Sequence, residues 1–215
     1  MSYVLYGYWR SSAAYRVRIG LFLKGVPFES RSVHLLKNGG EQHGAGFMEI
    51  NPAKLVPVLQ TPEGPYLNQS LSILEYLEDL FPQPAFFPKD LIKKALVRSI
   101  ALTVACDIHP LNNLRVIQFL KTSVGCSDEA KDQWYAHWIS EGFQAIESSL
   151  EKTMGKFCIG DEVSLADICL IPQVYNARRF NVSLSQYPRI VDIEARCQQL
   201  ECFDLAKPEV QNDTE

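Results

Sequence analysis

The 215-residue chain has no C-x-x-C pair, and no two histidines stand at ligand spacing from each other. A closed metal site needs such spacing, so none is expected. The six cysteines, Cys106, Cys126, Cys158, Cys169, Cys197 and Cys202, are scattered, several within apolar helical patterns. They read as free, buried thiols rather than a disulfide framework. There is no excess of positive charge: 21 Lys and Arg face 25 Asp and Glu, a formal net charge of −4, which argues against a nucleic-acid partner. The longest apolar runs, such as the one around Ile168 to Ile171, fall far short of the roughly 20 residues a bilayer span requires. No basic n-region or cleavage site precedes "YVLYGY", so a cytoplasmic protein without membrane contact is expected. Internal repeats and low-complexity tracts are absent too. What is present, 47% hydrophobic and 21% charged residues, is the mix of an ordinary globular protein, long enough for one large domain or two small ones.

Strand and helix signals alternate over the first eighty residues. "YVLYGY" (3–8) is aromatic and β-branched and predicts a strand. From Ala14 to Lys24 the spacing turns helical, with Gly25 as a stop. "FESRSVHL" (28–35) predicts a second strand, and "LVPVLQ" (55–60) and "PYLNQ" (65–69) two more around the turn "TPEG". Ser70 is the expected cap of a helix that Pro82 stops. The order β-α-β then β-β-α is that of a thioredoxin-like domain, expected over 1–81. The prolines of "FPQPAFFPKD" predict a semi-rigid linker over 82–88. Beyond it, 89–215 reads as an all-helical bundle, giving an α/β plus all-α chain. One helix is expected over 89–121, broken or bent near Pro110. Another is expected over 128–152, with Trp134, Trp138, Phe143 and Leu150 as its buried stripe. In "GDEVSLADICLIP", Ser164 at the N-cap and Asp167 at N3 form a capping box, a folding signal with no catalytic role. The polar tail from Lys207 is expected to fray.

Three stretches of the first domain carry chemistry. In "YWRSSAAYRVR" (8–18), Ser11 and Ser12 stand where the strand gives way to the helix. Unpaired N–H groups and the positive end of the helix dipole would steady a thiolate there, although both serines also suit simple capping. In "LVPVL", Pro57 interrupts an apolar strand, which marks an edge, a bulge or a cis bond; a cis Val56–Pro57 bond would leave the Val56 backbone free to pair with a peptide-like ligand. In "NQS" (68–70), Gln69 and Ser70 offer an amide and a hydroxyl at a helix N-terminus, a site for a carboxylate. A thiol site, a strand backbone and a carboxylate site together describe a receptor for glutathione.

Over its whole length the chain resembles the cytosolic glutathione transferases, and most closely their zeta class, which includes maleylacetoacetate and maleylpyruvate isomerases. The resemblance is carried by "YWRSSAAYRVRIGLFLKGVPFE", "INPAKLVPVL", "NQSLSILEYLE", "CDIHPLNNLRV", "GDEVSLADICLIPQVYNARRF" and "YPRI". It implies glutathione as cofactor, a homodimer, and cis-to-trans isomerisation of a conjugated diacid in aromatic amino-acid breakdown. Maleylacetoacetate is the leading substrate. The alternatives are maleylpyruvate, transfer to small α-haloacids, and a non-catalytic binding scaffold. By position Ser11 inherits the role of holding the glutathione thiolate, with Ser12 and Arg10 beside it. Ala13 stands where the class commonly has cysteine. The resemblance also implies that Gln42, Val56, Gln69, Ser70, His109 and Asn113 contact glutathione. Arg10, Arg115 and Arg179 are expected to bind the substrate carboxylates, since arginine forms a bidentate fork with them. Surface or interdomain salt bridging is expected for Arg16, Arg18 and Arg178, and no general-base duty is assigned to His109.

Overall fold

The computed structural model describes residues 2–215, which separate into two compact units: 2–85 with 199–215, and 86–198. The first is thioredoxin-like. Strands β1 (Tyr3–Gly7), β2 (Phe28–Ser32), β3 (Val58–Gln60) and β4 (Tyr66–Asn68) form one sheet in the order β2-β1-β3-β4. β1 and β2 are parallel, with Gly7 opposite Ser32; β3 runs antiparallel to β1, with Val58 opposite Tyr6, and to β4, with Val58 opposite Asn68. β1 is buried along its whole length, whereas β2 at the edge is mostly exposed.

Helix α1 (Ser12–Leu23) packs against α3 (Ser70–Leu80), and a short helix, α2 (Ala45–Ile50), lies between them in the chain. Gly25, at φ +65°, ends α1 in the left-handed conformation that glycine adopts without penalty. Residues 12–21 of α1 are all buried, which two arginines make unusual. Arg16 and Arg18 are therefore not surface salt-bridge residues. Arg18 Nε donates to the Ala206 carbonyl at 2.9 Å and its Nη2 to the Trp9 carbonyl at 3.0 Å. Lys24 closes the helix by donating to Glu78 and to the Pro84 carbonyl, both at 2.6 Å.

The second unit is helical: α4 (Leu91–Leu102), α5 (Leu114–Phe119), α6 (Asp128–Thr153), α7 (Leu165–Arg179) and α8 (Pro188–Cys197). Of the two outcomes expected near Pro110 the helix over 89–121 takes the break: a π-helical segment over Thr103–Ile108 leads into Pro110, and α5 starts anew after it. On α6 the core positions are Tyr135 and Ile139 with Phe143 and Leu150, while Trp134 and Trp138 are only half-buried. An indole N–H needs a partner, and Trp134 Nε1 finds the Leu111 carbonyl at 2.9 Å by standing at the margin. Three cysteines, Cys158, Cys169 and Cys197, are buried, but Cys106 is exposed. No helix among the described residues is long and apolar enough to cross a membrane.

Two expectations fail at the chain's end. Residues 199–215 belong with the first unit, not with the helical one, because α9 (Glu201–Ala206) packs on α1. The tail after Lys207 is not frayed: Asp213, Thr214 and Glu215 all make side-chain hydrogen bonds or ion pairs. The linker also ends sooner than 88, since Phe86 is fully buried in the second unit and Phe87 lies beneath Lys94 and Arg98.

The capping box heads α7, the most buried helix of its unit. The Asp167 carboxylate accepts from the Ser164 N–H and hydroxyl and from the Cys158 N–H, each at 2.8 Å. Burial raises its pKa, and these donors pull it back toward the charged form. Asp167→Asn turns an amide NH2 toward a backbone donor whichever way it is oriented. It is expected to cost about 2–3 kcal/mol and to lower the thermal midpoint by about 4–12 °C in a calorimetric scan.

Candidate functional site

The sheet register gathers the first unit's candidate residues at one end. Gly7 at the end of β1, Val58 at the start of β3 and Asn68 at the end of β4 are joined through the ladder, so the segments that follow or precede them are neighbours. These segments carry Arg10, Ser11 and Ser12, Val56–Pro57, and Gln69–Ser70. The loop after β2, which holds Gln42, leaves from the same end.

Ser11 is the N-cap of α1. Its Oγ accepts from the Ala14 N–H at 3.2 Å, and its own N–H donates to the Tyr8 carbonyl at 2.9 Å. A hydroxyl that accepts still has a proton to give, so capping leaves Ser11 able to donate to an anion at the positive end of the helix. Ser12 is buried in the first turn. Arg10 is half-buried, its Nε and Nη2 donating to the Tyr8 hydroxyl at 3.2 and 2.9 Å while the guanidinium lies 4.6 Å from the Trp9 ring centre.

The Val56–Pro57 bond is cis. Among the described residues the Val56 backbone has no hydrogen-bond partner, and the side chain packs on the cluster of Val4, Tyr6, Val33, Phe47 and Val58. The loop before it is shaped by buried Asn51, whose Nδ2 donates to the Leu55 carbonyl at 2.8 Å and whose Oδ1 accepts from the Ala53 N–H at 3.1 Å. At α3, the cap is Gln69 rather than Ser70. Gln69 has φ +67°, a conformation uncommon for a side-chain-bearing residue, and is exposed. Ser70 is the first helical residue, buried, and its Oγ accepts from Arg16 Nη1 at 3.3 Å. Sequence reasoning missed Arg16 here. A guanidinium beneath a helix N-terminus strengthens its field for an anion, and the only available signal was an arginine inside an otherwise buried helical face.

Gln42 is 6% exposed. Its Nε2 donates to the Leu35 carbonyl at 3.5 Å, and among the described residues its buried Oε1 has no hydrogen-bond partner. Such an acceptor suits a ligand N–H.

The remaining candidates belong to the second unit. His109 is half-buried after the π-helical segment. Asn113 caps α5, its Oδ1 accepting from the Arg115 N–H at 3.2 Å, which leaves its NH2 to donate elsewhere. Arg115 and Arg179 are exposed. The Arg179 guanidinium lies 4.8 Å from the Phe180 ring centre, and that ring stacks on Tyr135 at 3.7 Å. The Tyr135 carbonyl accepts from Asn112 Nδ2 at 3.2 Å, so Tyr135 ties the Arg179 region to the 109–113 turn. Arg178 instead pairs with Glu194, as expected of a structural arginine.

Residues 10–80 match the family described as Glutathione S-transferase, N-terminal domain. A Vibrio cholerae protein named "Probable maleylacetoacetate isomerase" is 51% identical over 213 residues, 99% of either chain. A solved holo structure of a maleylpyruvate isomerase, described as a bacterial zeta-class glutathione transferase, covers 99% of this chain and 100% of its own at 42% identity and a TM-score of 0.95. The chain belongs to the zeta class of glutathione transferases. A solved structure of the maleylacetoacetate isomerase from Anaeromyxobacter dehalogenans, with glutathione bound in its active site, is 40% identical with a TM-score of 0.89, covering 100% of this chain and 98% of its own.

In this zeta-class chain, the missing side chain of Gly40 leaves the space that the Gln42 amide occupies. It has φ +99°, and a Cβ there would lie 2.5 Å from Gln42 Nε2. Gly39, at φ +79°, has open space around it. Gly40→Ala is expected to cost at least about 1 kcal/mol more than Gly39→Ala, because it adds expulsion of Gln42 to the backbone strain both share; urea denaturation of the two variants measures the difference.

Proposed function

We propose that the chain is a glutathione-dependent cis–trans isomerase of a conjugated diacid, with maleylacetoacetate as its substrate. The observation that carries the reading is the juxtaposition at one sheet end of the Ser11 hydroxyl, the unpartnered Val56 backbone and the Arg16-backed N-terminus of α3. These suit, in order, a thiol, a peptide backbone and a carboxylate, and the orphaned Gln42 Oε1 suits an amine or amide N–H. The name of the Vibrio cholerae relative supports maleylacetoacetate. The similarity to the maleylpyruvate isomerase structure keeps maleylpyruvate as the second reading.

Glutathione, when bound, supplies the nucleophilic sulfur whose reversible addition to the activated double bond permits rotation about it. Ser11 holds that sulfur as an anion through its O–H and the first N–H groups of α1. Val56 pairs with the peptide portion. Gln69, Ser70 and Arg16 hold a carboxylate, and Gln42, His109 and Asn113 make further polar contacts. Arg10, Arg115 and Arg179 receive the substrate carboxylates and the negative charge that develops on the substrate oxygen. No proton relay from a protein acid is required, which agrees with leaving His109 outside acid–base work. Ala13 adds no thiol of its own. The working unit is a homodimer in the cytoplasm, a reducing setting that suits free cysteines.

The direct test offers purified protein maleylacetone, maleylpyruvate and an α-haloacid, with and without glutathione; no glutathione-dependent turnover of the first two overturns the reading. Ser11→Ala removes one hydrogen bond to an anion, so the thiol midpoint of bound glutathione should rise by about 1–2 pH units in ultraviolet titration. Arg179→Ala should raise KM for the diacid at least about tenfold while glutathione Kd stays within about twofold. An unchanged KM removes Arg179 from substrate binding.

A further inference from the structure

The closing segment of the chain is folded back on itself and aimed at the turn that carries Ser11. Gln211 Nε2 donates to the Leu205 and Lys207 carbonyls at 3.0 and 2.9 Å, and the Thr214 hydroxyl donates to the Pro208 carbonyl at 2.7 Å. This presents Asp213 to two donors: Oδ2 accepts from the Trp9 N–H at 3.1 Å and from the Ser32 hydroxyl at 2.8 Å. The other side of Trp9 is held as well. Its carbonyl accepts from Arg18 Nη2 at 3.0 Å, while Arg18 Nε is engaged by the Ala206 carbonyl at 2.9 Å. Both polar groups of the Trp9 main chain are thus fixed by charged side chains that are themselves tied to residues 205–215. Trp9 is two residues before Ser11, within the turn closed by the Ser11 N–H on the Tyr8 carbonyl.

A second contact reaches the same turn. Glu215 pairs with Lys37 and lies 3.4 Å from His34 Nε2, and the His34 ring meets the Tyr8 ring edge-on at 4.8 Å.

We propose that Asp213 is a positioning residue: through Trp9 it fixes the direction of the Ser11 hydroxyl and the first N–H groups of α1, and so sets how strongly the site favours an anionic sulfur. The proposal rests on the reading of Ser11 given above. It separates cleanly from a direct effect of charge. A carboxylate near the site disfavours a second anion, so loss of its charge alone would make the bound thiol more acidic. Loss of its position makes the thiol less acidic. Asp213→Asn keeps an acceptor for the Trp9 N–H and removes the charge; Asp213→Ala removes both.

Two measurements test this. In ligand-free protein, amide exchange across residues 8–13 is expected to be at least about tenfold faster in Asp213→Ala than in wild type, and near wild type in Asp213→Asn. In the glutathione complex, the thiol midpoint of Asp213→Ala is expected to rise by about 0.5–1 pH unit, a threefold to tenfold loss of thiolate at a given pH, with Kd changed less than about twofold. The Asp213→Asn midpoint should stay or fall. Unchanged exchange overturns the proposal, and so does faster exchange with an unmoved thiol midpoint or a lower midpoint in Asp213→Ala. If wild-type protein fails to depress the thiol at all, the Ser11 reading fails, while the exchange result still decides whether Asp213 orders the turn.

Discussion

Two guanidinium groups lie inside the first unit, and a buried charge has to be met by polar groups where it lies. Both stand on α1, a helix covered so completely that neither arginine can turn toward water. Arg16 reaches Ser70 at the head of α3, and Arg18 reaches the Trp9 and Ala206 carbonyls. One helix thereby ties together the turn before it, the start of α3 and the C-terminal helix. The positions of Ser11 and Ser70 follow from the same constraint: the turn and the helix that present them are fixed to a single rigid element.

This arrangement explains why the candidate site sits at the junction of elements and not within them. The sheet register brings three segment ends together, and each offers main-chain groups that the ladder or a helix leaves over. Ser11 both caps α1 and keeps a proton to give; Gln69 accepts an unusual backbone conformation to begin α3. The second unit is organised by α7, whose capping carboxylate is enclosed and fully engaged. Asp167 is the counterexample within the same chain: a buried acid whose partners are two main-chain N–H groups and the Ser164 hydroxyl, and whose role is to start a helix.

Much of the fold was legible because its signals are local. The box of Ser164 and Asp167, the stop at Gly25 and the break at Pro110 each depend on residues a few positions apart. Where partners lie far along the chain, reading failed. Trp134 and Trp138 matched the apolar spacing, but the indole of Trp134 needed the carbonyl of Leu111 and left the core to Tyr135 and Ile139. The polar tail looked frayed because its partners, Trp9, Ser32 and Lys37, are close to two hundred positions away.

The same division holds at the site. Sequence alone determined which groups are available: a serine pair before a helix, a proline in an apolar strand, a glutamine and serine opening another helix, and the co-linear motifs of the zeta class. Those are properties of short stretches, where residue type sets backbone geometry directly. Only the tertiary structure decided that Arg16 lies under Ser70, that the Gln42 carbonyl oxygen is buried without a partner, and that Asp213 grips Trp9. The physical reason is that these contacts depend on how the chain closes upon itself, through strand pairing and the packing of α9 on α1.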